Sequence, residues 1–234
     1  MYESDNGSVA QTLVELDSLV ENMLLLLSDK EKVVVSKRFN LDGKRKHTLE
    51  EIGQDFSVTR ERVRQIEKNA LSKMKRNVFN TSLRHLHDYS SSLISNHGGV
   101  MKEEVLFEKL SELLLDSDID ESRVRLALVI HEELACVGNT INFYPYVRAG
   151  DVTEFSLKHA SGQLVNQMHK YGDVKNVTRV HKDMSGSLSD FDMDVKLMKS
   201  LIGIDKRVAL LDGDMVGLVE WRHIHPRTLR DKVL

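Results

Sequence analysis

The chain has 234 residues, of which 41% are hydrophobic and 29% charged, and its formal net charge is −3. These values describe an ordinary water-soluble globular protein with one large domain or two to three small ones. The longest apolar run, Met23–Leu27, is too short to span a bilayer, and a single cysteine, Cys136, excludes an internal disulfide and a cysteine-based zinc site. We therefore predict a cytoplasmic protein without membrane contact. Two prolines and 6% aromatic residues favour a mainly α fold over a β-sandwich.

The charge is distributed unevenly along the chain. Residues 28–78 carry 14 Lys and Arg against 8 Asp and Glu, a net of +6, whereas residues 1–27 carry five acids and no base. A basic segment in an otherwise acidic chain is typical of a module that binds nucleic acid. Charge by itself leaves open a basic face that is merely solvated.

Residues 1–27 contain a predicted amphipathic helix. Its apolar residues recur at positions 9, 13, 16, 20, 23 and 27, which is the alternating four–three spacing of a coiled-coil seam. Such a stripe either packs on its own domain or mediates self-association through residues 9–27. The sequence leaves both readings open.

Three short helices are predicted in the basic segment, residues 28–78. Ser28–Glu31 and Thr48–Glu51 both have the capping-box pattern that opens a helix. Thr59 is a natural N-cap for a third helix that runs to about Arg76. Two helices joined by so short a connection form a helix-turn-helix, whose second helix enters the DNA major groove. A plain helical hairpin is the alternative.

The residues "LSDKEKVVVSKRFNLD" and "TLEEIGQDFSVTRERVRQIEKNALSKMKR", within about Leu27 to Arg76, closely resemble region 4 of bacterial housekeeping-type sigma factors. The resemblance implies a bacterial or phage-encoded protein whose third helix reads a −35-like element in double-stranded promoter DNA. Carried over position by position, it implies that Arg60 and Glu61 touch base edges, with Gln65 beside them. The DNA-binding residues implied in this way are Thr48, Thr59, Arg60, Glu61, Arg62, Arg64, Gln65 and Lys68.

The chemistry of these side chains agrees with that assignment. An arginine such as Arg60 offers two donors to guanine O6 and N7, and a carboxylate such as Glu61 can accept from cytosine N4. Arg62 and Arg64 would instead hold phosphates, which positions the helix without reading sequence. Crowded like charges at the start of a helix make sense once a phosphate backbone lies against them.

The same resemblance implies a second partner. In sigma factors, region 4 grips the flap-tip helix of the RNA polymerase β subunit in an apolar hollow. The residues implied to form this hollow are Val33, Val34, Phe39 and Leu41. For each of them, a place in the core of a small domain is the alternative.

A complete sigma factor also needs a region 2, which melts the −10 element. The 27 residues before Ser28 are acidic or apolar and show no counterpart of it. We therefore expect the chain not to open promoters unaided, and a separate sigma subunit or another region 2-bearing protein to supply that step.

An internal repeat with an offset of 74 positions fills much of the remainder, as when Gly98 aligns with Gly172. Each copy predicts a helix, a glycine turn with a short extended piece, two more helices and a hairpin, at "LACVGNTINFY" and "VALLDGDMVGL". We therefore predict two tandem winged-helix modules, residues 82–147 and 153–234, the second with a C-terminal tail. The linker "VRAGDVT" is expected to add little stability. The other aligned pairs are Val100–Val174, Leu106–Val180, Leu110–Met184, Leu114–Leu188, Leu128–Ile202, Ile130–Ile204, Leu134–Val208, Val137–Leu211 and Ile141–Met215.

A second, shorter resemblance concerns "RVALLDGDMVGLVEWRHIHPRTLRDKV", Arg207–Val233, which looks like the wing of HARE-type helix-turn-helix domains. Such domains also occur in the RNA polymerase delta subunit, and some bacterial proteins join them to a sigma region 4. In those relatives "W…P…RDK" leads into a further helix. Because the chain stops at Leu234, we expect a shortened last module or an incomplete sequence.

The two winged-helix modules differ in charge. The predicted recognition helix of the first, Glu121–Leu134, carries Arg123 and Arg125 as its cations within an acidic module, which favours a protein-facing role. The second module is richer in cations, so DNA contact there stays open. Its cations are Lys196, Lys199, Lys206 and Arg207, with Arg222, Arg227, Arg230 and Lys232 in the tail.

The sequence shows little that could perform catalysis. It has no glycine-rich phosphate loop, no Ser/His/Asp order and no paired-acid spacing. "HLH" at 85–87 falls on a predicted helix, where i, i+2 residues lie on different faces, and "HIH" at 223–225 is equally isolated. We predict that the protein is not an enzyme and needs no metal or cofactor.

Three functions remain compatible with the sequence. The first is a promoter-recognising transcription factor that docks on RNA polymerase. The second is an operator-binding repressor or other regulator that does not contact polymerase. The third is an anti-sigma decoy that occupies the flap, which the intact set Arg60, Glu61 and Gln65 argues against.

Overall fold

The computed structural model describes residues 3–114, 118–187, 193–222 and 224. Several residues named in the sequence analysis lie outside the described part of the chain. They are Leu188, the two histidines of "HIH" (His223 and His225) and the tail cations Arg227, Arg230 and Lys232. The described chain is mainly helical with small antiparallel sheets, as the sequence predicts. In this part of the chain, no helix combines the length and the apolar character needed to cross a membrane.

The chain forms two compact units. Unit 1 comprises Met1–Ser91 and Phe107–Ala135, and unit 2 comprises Ser92–Leu106 and Cys136–Leu234. These bounds differ from the predicted modules 82–147 and 153–234, because the first of those modules contributes residues to both units. That domains which fold independently begin and end at the predicted boundaries stays a prediction.

The helices that lie within unit 1 are α1 (Glu3–Val14), α2 (Leu16–Leu24), α3 (Asp29–Phe39), α4 (Leu49–Phe56), α5 (Arg60–Asn77) and α8 (Glu121–Val129). Helices α6 (Leu83–Asn96) and α7 (Glu103–Ser111) contribute residues to both units. A turn of 3-10 helix, Val78–Asn80, follows α5.

The N-terminal stripe is packed inside unit 1. The single predicted helix is divided at Glu15 into α1 and α2, and five seam residues are buried: Val9, Leu13, Leu16, Val20 and Met23. Helix α2 contacts α5 and α8 of the same unit. These side chains therefore serve the chain's own core, the first of the two readings, and self-association through residues 9–27 stays a prediction.

Capping fixes where the three helices of the basic segment begin. Both predicted capping boxes are present, at Ser28 with Glu31 and at Thr48 with Glu51. The connection between α4 and α5 is tight: Ser57 adopts a left-handed backbone with φ 53°, and a Cβ on Gly53 would come within 2.7 Å of the Val58 carbonyl oxygen. A side chain at position 53 would push the turn away from α4.

A small apolar core holds the three helices together. It is formed by Val34 of α3, Ile52 of α4 and Val63 of α5, with Leu49, Phe56 and Ile66 partly buried around them. Ion pairs on the rim join the same elements: Lys37 Nζ lies 2.6 Å from Asp55 Oδ2, and Arg38 Nε lies 3.1 Å from Glu67 Oε1. This packing confirms the helix-turn-helix rather than the plain hairpin.

Unit 2 contains α9 (Glu154–Tyr171), α10 (Val177–Met184) and α11 (Val195–Ile204). The strands are β1 (Val100–Lys102), β2 (Leu134–Val137), β3 (Tyr146–Ala149), β4 (Lys175–Asn176), β5 (Val208–Leu211) and β6 (Met215–Leu218). One sheet has the order β1-β3-β2 and the other β4-β6-β5. Val100 pairs with Arg148 in the first, and Lys175 with Val216 in the second, both antiparallel. Both copies thus have the same element order and the same strand order, which is consistent with the two predicted winged-helix modules.

The aligned positions of the repeat occupy equivalent places. Leu106 and Val180 are fully buried on α7 and α10, and Val137 and Leu211 end β2 and β5. Gly98 and Gly172 both have a positive φ, 79° and 66°. One aligned residue departs from this equivalence, because Ile141 is not buried: it is 92% exposed.

The first wing and the linker differ from the prediction. No tight hairpin turns at Gly138-Asn139; β2 ends at Val137 and β3 begins at Tyr146, so residues 138–145 form a longer loop. The second wing has the expected short turn, at Asp212–Asp214. The "VRAGDVT" segment overlaps β3 and has Val147 and Val152 buried, which contradicts its expected minor role. The second strand of the first wing is therefore β3, Tyr146–Ala149, and not the predicted segment "INFY".

The repeat copies interlock within unit 2. Helix α11 of the second copy packs against β1 of the first, and the Ser200 hydroxyl donates to the His97 carbonyl oxygen. Gly98, with its positive φ, approaches α11 so closely that a Cβ there would overlap the backbone of Leu197. In the first wing loop, the Tyr144 amide donates to the Ile204 carbonyl oxygen at 2.9 Å.

Candidate nucleic-acid interface

The first two turns of α5 carry the candidate DNA-reading residues. Thr59 caps the helix, its Oγ1 accepting a hydrogen bond from the Arg62 amide at 3.2 Å. Val63 is buried in the small core, which fixes the rotation of α5 on α4. As a result, Arg60, Glu61, Arg62, Arg64, Gln65 and Lys68 are all exposed.

Glu61 stands at the centre of a hydrogen-bonded set on this face. Its carboxylate accepts from Arg64 Nε and Nη2 at 2.8 and 2.7 Å and from Gln65 Nε2 at 3.5 Å. Chiefly because of the Arg64 hydrogen bonds, the pKa of Glu61 is lowered and that of Arg64 is raised. Both side chains are charged near neutral pH, so the face presents cations around one ionised acceptor.

A shallow depression of about 430 Å³ lies beside this face. It is lined by Arg38, Thr48, Leu49, Glu50 and Arg60, so it joins the start of α4 to the start of α5. Arg38 and Arg60 give this concave surface two cations beside one acid, Glu50, and arginines are among the residues that hold phosphates of the DNA backbone.

The start of α4 is held by its capping box. Glu51 accepts from the Thr48 amide at 2.8 Å and from Thr48 Oγ1 at 3.0 Å, and Arg45 Nη1 lies 2.7 Å from its other oxygen. These hydrogen bonds, the Thr48 amide first, lower the pKa of Glu51 to about 2. Thr48 is therefore exposed at the rim of the depression, and its hydrogen bonds to Glu51 hold it in position.

Arg38 was not singled out by the sequence reasoning. Its guanidinium lines the depression while it pairs with Glu67 and donates from Nη1 to the His47 carbonyl oxygen at 2.8 Å. Its place in the last turn of α3 marks it as a cation near a helix C-terminus. Because the fold brings that end of α3 to the start of α4, the sequence pattern by itself could not place it beside Thr48.

The four residues implied for polymerase binding are not equally accessible. Val33 is 38% exposed and Phe39 is partly buried, whereas Leu41 is 9% exposed and Val34 lies fully within the small core. Val34 thus supports the surface from beneath and has no exposed atoms for a partner to touch.

The third helices of the two repeat copies are packed inside their units. In unit 1, α8 contacts α2 and α3, and its Arg123 pairs with Asp17 and Asp120. In unit 2, α11 packs against β1, β5, α9 and α10. These helices, which would face DNA in a free winged helix, serve here as internal packing elements.

Three cations of the second copy are engaged as well. Lys199 Nζ lies 2.7 Å from Asp214, and Lys206 Nζ donates to Asn139 and to the Thr140 carbonyl oxygen. Arg207 binds the buried carboxylate of Asp205, which raises the arginine pKa. These contacts hold the wing loops and strands of unit 2.

A compact two-helix unit whose second helix presents a capped, exposed and cation-rich N-terminal face is a helix-turn-helix of the DNA-binding class. Residues 23–76 match the family described as Sigma-70, region 4, and this part of the chain is a domain of that kind. The match covers less than a quarter of the chain.

The relatives found are similar over the same part of the chain. RNA polymerase sigma factor SigA of Microcystis aeruginosa is 48% identical over 73 residues, which are 31% of this chain and 17% of that protein. RNA polymerase sigma factor sigF, chloroplastic, of Arabidopsis thaliana is 39% identical over 92 residues, 39% of this chain and 16% of that protein. SigA of Lactococcus lactis subsp. cremoris is 46% identical over 61 residues, 26% and 16% respectively. The chain thus spans less than a fifth of the length of these curated relatives.

Proposed function

We propose that this protein is a transcription factor that binds promoter DNA sequence-specifically through α4 and α5 and docks on bacterial RNA polymerase. The observation that carries the proposal is the exposed N-terminal face of α5, with Arg60, Glu61 and Gln65 held around a buried Val63. This face lies within the segment that matches Sigma-70, region 4.

In the proposed complex, the start of α5 enters the major groove. Arg60 donates to a guanine, and Glu61 accepts from the exocyclic amine of a cytosine. Arg62 and Arg64 bind phosphates on either side of the groove, with Lys68 further along the helix. Thr48 and Arg38, on the rim of the depression, take a phosphate of the adjacent backbone. The recognised sequence is of the −35 type that sigma factors read.

Selection of DNA by the full chain tests the sequence-specific step. A random duplex library should yield an enriched motif with the wild type, and the Arg60→Ala variant should lose selection at one base pair of it. The matched control is Arg76→Ala, an exposed arginine in the last turn of α5. If the wild type enriches no motif, the proposed function is wrong.

The polymerase step has a separate test. Core RNA polymerase, added to immobilised full-length protein, should be retained with its β subunit, and a Val33→Asp variant should retain less. Val33 is suited to this test because it is the most exposed of the implied contact residues. A separate region 2-bearing protein belongs to the same proposal, as the partner that would melt the promoter.

The burial of Val34 and Leu41 favours one second candidate, a DNA-binding regulator that does not contact polymerase. In that case the α3 surface is simply part of the core of unit 1. Motif enrichment in the selection experiment, combined with no retention of β, would favour this candidate over the first.

A further inference from the structure

We propose that the loop between α3 and α4, Leu41–His47, is a second DNA-contact surface that binds backbone phosphates flanking the element read by α5. The inference rests on the proposed function and extends its interface. The loop holds three consecutive cations, Lys44, Arg45 and Lys46, all of which lie outside the recognition helix.

The cations of the loop are open to solvent. The side chain of Lys44 is 80% exposed, and that of Arg45 is 61% exposed. Lys44 Nζ lies 3.4 Å from Asp42 Oδ2, and an exposed ion pair of this kind contributes little free energy. A phosphate can therefore replace Asp42 as the partner of Lys44 at small cost.

The backbone of the loop is fixed before any ligand arrives. The His47 amide donates to the Lys37 carbonyl oxygen at 2.9 Å, and Arg38 donates to the His47 carbonyl oxygen at 2.8 Å. At the other end, Asn40 and Gly43 adopt left-handed conformations, with φ 58° and 70°. Binding a phosphate here requires little ordering of the chain, which would otherwise oppose binding.

Arg45 acts as a positioning residue for the loop. Its Nη1 lies 2.7 Å from Glu51 Oε1, and the other oxygen of Glu51 accepts from Thr48. The guanidinium thus ties the loop to the cap of α4. Lys44 and Lys46, the exposed cations on either side of Arg45, are the side chains that we assign to phosphate.

The position of the loop relative to α5 identifies duplex DNA as the partner. The loop leads directly into Thr48, which shares the rim of the depression with Arg60. In a docked helix-turn-helix the first helix lies across the backbone while the second enters the groove. A strand that passes Arg60 and Thr48 therefore continues towards the loop.

Salt dependence of binding tests this inference directly. Each phosphate contact contributes about 0.9 to the slope of log K against log salt concentration. For the Lys44→Ala/Lys46→Ala variant of the full chain, we expect the slope to fall by about two units on a duplex that carries the selected motif with long flanks. Affinity should fall equally for specific and random duplexes, with the motif itself unchanged.

Two controls separate the loop from a general loss of charge. Lys158→Ala/Lys170→Ala removes the same charge from exposed positions of α9 and should keep the wild-type slope. Lys44→Gln/Lys46→Gln removes the charges but keeps longer, polar side chains, and it should behave as the alanine pair does. Trimming the flanks of the duplex should abolish the difference between wild type and loop variant.

The outcomes distinguish this inference from the function on which it rests. A wild type that enriches a motif, together with a loop variant of unchanged slope, overturns the loop inference and leaves the proposed function intact. A wild type that enriches no motif overturns both. A loop variant with unchanged DNA binding but weaker retention of core polymerase would assign the loop to a protein partner, which also overturns the inference.

Discussion

Arg64 donates two hydrogen bonds to the carboxylate of Glu61, one turn earlier on α5, from Nε at 2.8 Å and from Nη2 at 2.7 Å. Both side chains are more than half exposed, and an exposed helical ion pair of this kind contributes little free energy. The pair therefore holds the two side chains in an ordered arrangement that DNA can rearrange easily. Glu61 is kept ionised, and Arg64 is kept beside it on the exposed face of α5.

Replacing Arg64 by Ala should weaken binding to all sequences alike, because a phosphate contact carries no sequence information. The salt slope should fall by about one unit. Fluorescence anisotropy titrations at several salt concentrations measure this, with Arg76→Ala as the control. A change of preferred motif in the Arg64 variant would contradict the phosphate assignment.

Replacing Arg60 by Ala, in contrast, should weaken binding in a sequence-dependent way. We expect a loss of about 1–3 kcal/mol at the selected motif and relaxed preference at one base pair, since a bidentate arginine discriminates guanine from the other bases. Competition between the motif and single-base variants measures the effect. If the Arg60 variant discriminates as the wild type does, Arg60 does not read a base.

Loss of the Thr59 cap should destabilise the reading helix. Thr59→Ala removes the acceptor for the Arg62 amide, which should cost about 0.5–2 kcal/mol of unfolding free energy. Thr59→Ser keeps the hydroxyl and should remain close to wild type. Urea unfolding followed by circular dichroism compares the two, and equal stabilities would show that the cap contributes nothing.

The equivalence of the repeat copies predicts equivalent costs of truncation. Leu106→Ala and Val180→Ala each leave a cavity in a close-packed interior, at about 1–5 kcal/mol, the leucine costing more. Ile141→Ala, at the aligned position that is almost fully exposed, should change stability by less than about 0.5 kcal/mol. Thermal and urea unfolding of the three variants measure these changes in stability. A large effect at Ile141 would mean that the first wing loop is buried in solution.

Acid should destabilise unit 1 through His87. Burial lowers the pKa of this imidazole to about 4, against the opposing hydrogen bond from its Nε2 to the Ala127 carbonyl oxygen. Because the folded pKa lies below the unfolded value of about 6.5, the unfolded state takes up the proton first. The stability contribution is complete above pH 6.5 and decreases from there to about pH 4, by about 3 kcal/mol in total.

The measurement for His87 is the slope of unfolding free energy against pH. His87→Gln should flatten that slope between pH 6.5 and 4, even if it lowers stability at every pH. An unchanged slope in the His87 variant would contradict this account.

The local features of the helix-turn-helix could be predicted from sequence because each is encoded within a few residues. Capping at Ser28, Thr48 and Thr59 depends on a side chain and an amide three positions apart, and all three helices start where the pattern places them. The exposed face of α5 follows from Val63 and its spacing. Local patterns specify local hydrogen bonds, so these predictions are confirmed.

Predictions that depend on tertiary partners were less successful. The seam of residues 9–27 was compatible with two partners, and the composition of the stripe cannot distinguish the chain's own core from a second copy. Gly138-Asn139 has the composition of a tight turn, yet the strand that follows begins at Tyr146 because its pairing partner is β1. Arg38 was missed because its neighbours at the depression come from a different helix. Long-range packing decided each of these cases.

The contact of Gly98 with α11 has a consequence for the history of the repeat. A duplicated module ordinarily remains separable, so that one copy can be lost, exchanged or fused elsewhere. In this chain, the turn before β1 belongs to one copy and the helix that it touches belongs to the other. A Cβ at position 98 would overlap the Leu197 backbone. A substitution in one copy therefore has to remain compatible with the structure of the other copy. A chain that kept only the second copy would leave α11 without the β1 residues that pack against it.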